Sequence, residues 1–148
     1  MPKGPKIPKL DASRVGQPKQ PRRAPAASHE VEQISWRFSM MDDEYCTWGA
    51  LSTEKTLEII SKLAFYEDKS WHQVRAQNPT NQHPVPVADL VKPARDRLEV
   101  LKLDDLDELV RFRLAGTERV WCVRFDNVMY LLWWDPNHEV CPSAKKNT

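Results

Sequence analysis

Glycine is scarce in this chain, with four residues in 148, and none of the four belongs to a Gly-rich run. Folds that cradle a nucleotide phosphate in a glycine loop are therefore disfavoured, and no Gly-x-Ser-x-Gly elbow offers a serine nucleophile. No stretch of about 18 apolar residues exists, so no membrane-spanning helix and no membrane partner are expected. The first residues alternate Pro and Lys instead of running from basic to apolar, which reads as no secretory signal. Cysteine is limited to Cys46, Cys122 and Cys141, an odd number without a Cys-x-x-Cys pair. Reduced thiols in a cytoplasmic protein are the simplest expectation. His138-x-x-Cys141 has a metal-like spacing, but two ligands do not close a tetrahedral zinc site, so neither a metal nor a cofactor is expected.

What the chain does have is unevenly placed charge. Residues 1–28 carry Lys3, Lys6, Lys9, Arg14, Lys19, Arg22 and Arg23 against Asp11 alone, leaving 15 basic and 20 acidic residues in 29–148. Six of the 12 prolines lie in the same 28 residues. Proline without amide donors, among mutually repelling cations, cannot bury enough apolar surface to offset chain entropy. The expected organisation is a disordered basic arm over 1–28, one α+β domain over 31–141, and a flexible tail over 142–148. Two readings of the arm stand side by side: a solubilising leader, or a cationic strand that follows phosphate or an acidic surface by releasing counterions.

Ile34–Met40 alternates apolar and polar positions and predicts a first strand. Ser52 or Thr53 is placed to cap a helix ending near Tyr66, with Leu57, Ile60, Leu63 and Ala64 as its apolar stripe. Ser70 caps a short second helix over 71–75, and residues 76–86, with three prolines and no periodicity, predict a surface loop. A third helix is expected over 87–101, where Pro93 either kinks it or marks its true first turn. Lys92, Arg95 and Arg97 make this the most basic structured segment. Three antiparallel strands follow, at 108–114, 119–125 and 128–134, with Asp126-Asn127 as a two-residue hairpin turn. That turn pairs Phe125 with Val128, Trp121 with Leu132, Arg119 with Trp134, and Val120 with Trp133. Of the six tryptophans, Trp36, Trp71, Trp121 and Trp133 suit the core, while Trp48 and Trp134 are candidates for exposure.

The candidate site residues carry open readings. Arg113 and Arg119 suit either anion binding or ion pairs with Glu108 and Glu118. His138, in Asp135-Pro136-Asn137-His138, suits proton transfer or a capped turn in which Asp135 accepts nearby amides.

One strand, two to three helices and a C-terminal three-stranded antiparallel sheet, together with the stretch Leu109-Val110-Arg111-Phe112-Arg113-Leu114-Ala115-Gly116-Thr117-Glu118-Arg119-Val120-Trp121, resemble the RelE/ParE-like toxin superfamily over about residues 34–140. The likeness lies in an Arg in one strand, a Gly turn, an Arg opening the next strand and a His near the C-terminus. It implies a metal-independent endoribonuclease of toxin–antitoxin type that cleaves mRNA and inhibits translation, in contact with RNA or the ribosome and restrained by an antitoxin protein. By that resemblance Arg113 and Arg119 clamp phosphate and His138 acts as general acid or base. Lys92 and Arg95 add charge from the neighbouring helix, and the arm lysines and arginines add nucleic-acid affinity. The competing expectation is a non-catalytic RNA-, ribosome- or DNA-binding protein that uses its arm, or a protein-interaction module built on exposed tryptophans.

Overall fold

A computed structural model describes residues 32–78 and 80–142, with Gly4 alone before them. The basic arm with Lys3, Lys6, Lys9, Arg14, Lys19, Arg22 and Arg23 lies outside the described residues, as do 143–148. The chain runs β1 (Ser35–Arg37), α1 (Thr53–Ala64), α2 (Trp71–Gln77), β2 (Gln82–Pro86), a 3-10 turn (Val87–Asp89), α3 (Lys92–Val100), β3 (Glu108–Arg113), β4 (Arg119–Phe125) and β5 (Val128–Asp135). It is an α+β fold built on a five-stranded mixed sheet.

Local chemistry sets most element boundaries. Ser52 accepts from the Lys55 amide to open α1, and Ser70 closes a full capping box with Gln73 at the start of α2. Pro93 stands in the first turn of α3, where its missing N–H costs no helical bond. The expected helix from residue 87 therefore begins at Lys92, after the 3-10 turn.

The sheet order is β1-β5-β4-β3-β2, with β1 parallel to β5 and every other pair antiparallel. The expected antiparallel run β3-β4-β5 forms its centre, but two strands flank it. The loop expected over 76–86 ends in β2, which pairs along β3 from Gln82 opposite Phe112 to Pro86 opposite Glu108. Prolines are tolerated there because β2 is an edge strand, whose outward amides have no ladder partner to lose.

Helices α1 and α2 cover one face of the sheet, packing Ile59, Leu63, Trp71 and Val74 on Val110, Phe112, Val120, Cys122, Met129, Leu131 and Trp134. Helix α3 covers part of the other face, where its Ala94 and Leu98, with Leu90 just before it, pack on Leu109, Trp121, Val123, Leu132 and Trp133. The buried stripe of α1 is Ile59 and Leu63, while Leu57, Ile60 and Ala64 are exposed. Of these, Ile60 and Ala64 meet Phe38 and Trp36 along a shallow groove beside β1. Trp134 is buried and Trp48 half-buried, their ring centroids 6.1 Å apart, with Trp48 Nε1 donating to the Leu132 carbonyl. The expectation that these two rings stand free in solvent is thereby corrected.

The hairpin register holds as expected from Phe125–Val128 to Cys122–Leu131, then shifts by one residue. Leu132 is the extra residue of a β-bulge, so Trp121 faces Trp133, Val120 faces Trp134 and Arg119 faces Asp135. Leu132 and Trp133 both turn toward the α3 side. Every side chain after the bulge therefore sits on the face opposite to simple alternation.

The segment after β1 is locked by a buried carboxylate. Asp42 accepts from Arg97 Nε (2.8 Å) and Nη2 (2.7 Å), from Trp133 Nε1 (2.9 Å) and from the Glu44 amide (3.0 Å). Burial pushes its pKa up, but the hydrogen bonds from Arg97, the Glu44 amide, Trp133 and the Tyr45 amide outweigh this and hold it at about 2. The same segment runs along the outer edge of β5, where the Asp42 amide donates to the Leu132 carbonyl and the Trp134 amide to the Cys46 carbonyl.

Candidate functional site

Beyond the area that α3 covers, the same sheet face carries three arginines. Arg111 and Arg113 alternate inward-outward positions on β3 with Val110 and Phe112, so both point away from α1 and α2. Arg113 lies directly opposite Arg119 on β4, and Arg119 directly opposite Asp135 on β5. Two like charges facing each other across a ladder destabilise the sheet, so this pairing has no structural rationale of its own.

Asp135 is 1 % exposed and holds the turn that follows β5. Its carboxylate accepts from Trp121 Nε1 (3.2 Å), the Glu139 amide (2.8 Å) and the Val140 amide (3.1 Å). Thr117 Oγ1 donates to the Pro136 carbonyl at 2.6 Å, tying the turn to the β3–β4 connection. Within this frame His138 adopts a left-handed backbone, φ 56°. Its Nε2 lies 3.2 Å from Arg111 Nη1. A guanidinium only donates, so Nε2 accepts and the ring is neutral with its proton on Nδ1. Burial, then Arg119 and Arg111, and finally Arg113, lower the His138 pKa against an opposing pull from Asp135.

Arg119 is 7 % exposed, and its Nη1 donates to the carbonyls of Gly116 (2.7 Å) and Glu118 (3.0 Å). The expected ion pair with the Glu118 carboxylate is not formed, because that carboxylate binds Lys55 Nζ at 2.8 Å. Arg113 Nη1 reaches only Asn81 Oδ1, at a long 3.5 Å, and Arg111 Nη2 the Thr80 carbonyl at 3.4 Å. Burial lowers the pKa of both Arg111 and Arg119, and the neighbouring arginines push in the same direction. Among the described residues, three buried side-chain nitrogens have no protein hydrogen-bond partner: Nε of Arg111, Nε of Arg119 and Nδ1 of His83. All three belong to this face, since His83 on β2 is the register partner of Arg111.

The structure thus brings Arg113, Arg119 and His138 together. Arg111 and His83 join them without having been singled out from the sequence. Arg111 lay inside the quoted motif, two residues before Arg113 and hence on its face, and that spacing was the available signal. His83 had none, because its segment read as a loop. Lys92 pairs with Asp96 at 2.7 Å, and Arg95 Nε donates to the Leu90 carbonyl. Both stand on α3, whose N-terminal end is tied to the turn by the Val91 amide and Val140 carbonyl. The charges that act most on His138 are those of Arg119, Arg111, Asp135 and Arg113.

An arrangement of three arginines around a neutral histidine can bind a phosphate diester and move a proton beside it. No described group of three or more His, Cys, Asp and Glu residues could hold a metal ion, and no helix among the described residues is long and apolar enough to cross a membrane. No protein-family model, no curated protein and no solved structure matches this chain.

Proposed function

We propose that this protein is a RelE/ParE-like, toxin-type endoribonuclease that cleaves mRNA without a metal cofactor. The observation that carries the reading is the convergence of Arg111, Arg113, Arg119 and His138 on one sheet face, with two buried guanidinium Nε groups lacking any protein partner. Buried donors in folded proteins are nearly always paired, so donors held unpaired beside like charges suit an anionic ligand. In this role Arg113 and Arg119 grip the phosphate from opposite strands, Arg111 supplies a third donor, and His138 transfers a proton. The N-terminal strand and the C-terminal antiparallel run β3-β4-β5, with helices between them, support the family assignment, to which this chain adds the edge strand β2. The Arg-turn-Arg pattern supports it too, with its two arginines opposite each other. An antitoxin that covers the arginine face is the partner this reading calls for.

Induced expression in bacterial cells, with growth and amino-acid incorporation followed, tests the proposal. Translation should stop for the wild type and continue for Arg113→Ala, whose exposed side chain can be removed with the fold intact. Unimpaired growth with abundant folded wild-type protein would sink the ribonuclease reading. Purified protein that binds but never cuts single-stranded RNA would shift it to a non-catalytic RNA-binding protein.

A further inference from the structure

His83 stands beside Arg111 in a way the sequence did not announce. The two are direct cross-strand partners of β2 and β3, and directly opposed residues share a sheet face. Gln82 before it faces the other way, bonding Tyr66 Oη at 2.8 Å. Val85 after it packs with Leu109 under α3. His83 therefore borders the arginine cluster from the edge strand, while His138 borders it from the C-terminal turn; Arg111 is the cross-strand partner of the first and lies 3.2 Å from the second.

We propose that His83 is the second proton-transfer group of this site, the general base that complements His138 as general acid. The proposal rests on the ribonuclease reading given above. Cleavage of RNA by its own 2′-hydroxyl needs two protons moved at two places. The bond from the 2′-oxygen to phosphorus forms as its proton passes to His83. The bond from phosphorus to the 5′-oxygen breaks as that oxygen takes a proton from His138. The products are a 2′,3′-cyclic phosphate and a free 5′-hydroxyl, and the three arginines carry the charge that builds on phosphorus in between.

The ring of His83 suits a base. Its Nδ1 is buried and no protein atom meets hydrogen-bond geometry with it. In the neutral imidazole one ring nitrogen carries no proton and can accept one. Burial first, then the charges of Arg111 on β3 and Arg75 on α2, lower the pKa of the ring and favour its neutral form, against a smaller opposing contribution from the Thr80 backbone. His138 faces Arg119, Arg111, Arg113 and Asp135, and gains its acidic proton once a bound phosphate offsets the arginines and takes Arg111 as its own partner.

Two RNA oligonucleotides separate the roles: one with natural linkages, one with a single scissile linkage whose bridging 5′-oxygen is sulfur. A thiolate leaves without help from an acid. His83→Gln should slow cleavage of both by about 10²–10⁴-fold. His138→Gln should slow only the natural linkage and cut the sulfur linkage at close to the wild-type rate. Wild-type rates for His83→Gln on both linkages, or rescue of His83→Gln by sulfur, overturn the assignment. Should either variant fail to fold, an uncleavable 2′-deoxy oligonucleotide added to the wild type should shift the ring resonances of both histidines; an unmoved His83 overturns it as well. A wild type that cuts neither RNA sinks the ribonuclease reading itself, a separate failure from that of His83.

Discussion

Arg113 and Arg119 face each other directly across the β3–β4 ladder, two cations at one cross-strand position. Such a pair works against the sheet, so removing one partner separates stability from function. Arg113→Ala is expected to leave the urea midpoint unchanged or raise stability by up to about 0.5 kcal/mol, while RNA cleavage falls by about 10²-fold or more. Denaturation curves and single-turnover cleavage on the same preparation check both halves. A loss of stability with activity retained would show the pair to be structural.

The two histidines predict a pH dependence with a definite sign. Both have folded pKa values below the ordinary histidine value of about 6.5. The unfolded chain therefore binds more protons below that value, so stability present above it is lost as pH falls through it. Urea midpoints measured at pH 7.5 and pH 5 should differ more for wild type than for His83→Gln or His138→Gln. The RNA cleavage rate should fall over the same acidic range.

Asp42 predicts the opposite end of the pH scale. Its carboxyl is held at about 2, so the stability it contributes is present above the ordinary aspartate value and is lost as pH falls through 2. Asp42→Ala leaves the buried Trp133 indole without its acceptor and Arg97 with Glu44 alone, and should cost about 1–3 kcal/mol, read as a drop in Tm. Asp42→Asn keeps the shape and should flatten the acid branch of the stability curve. A steep acid branch in that variant would place its origin elsewhere.

Asp135 links the fold to the site. Asp135→Ala removes the acceptor of Trp121 Nε1 and of two turn amides, and leaving these donors unpaired should cost about 2–4 kcal/mol. Cleavage should drop further than the thermal loss explains, because the turn no longer holds His138 over Arg111. Line broadening confined to residues 136–140 in NMR spectra would carry that explanation, and a sharp, unshifted turn would refute it.

Much of this architecture was legible from residue chemistry. Ser52 and Ser70 announce two helices, Asp126-Asn127 announces the tight turn, and β4 falls on residues 119–125 as alternation requires. Other features were not legible, each for a physical reason. The chain offers two overlapping apolar stripes on α1, Ile59 with Leu63 and Leu57 with Ile60 and Ala64. Periodicity alone cannot say which one meets the sheet. Three prolines made residues 76–86 look like a loop, because an edge strand needs amides on only one side and so tolerates them. That misreading hid His83.

Residue chemistry alone foretold the hairpin, the caps and the charge divide between arm and domain, and set Arg113 and Arg119 on adjacent strands with His138 after the last one. Which side chains meet followed from long-range packing. Strict alternation would place Asp135 away from Arg119. The Leu132 bulge adds one residue to β5 and turns Asp135 onto the arginine face, where its carboxylate folds the last turn and brings His138 to 3.2 Å from Arg111. Around the bulge, β5 meets α3 through Leu132 and Trp133 and meets the segment locked by Asp42 through Trp133 Nε1 and the Leu132 carbonyl. Those are contacts over 30 to 90 residues of chain, and no local pattern records them.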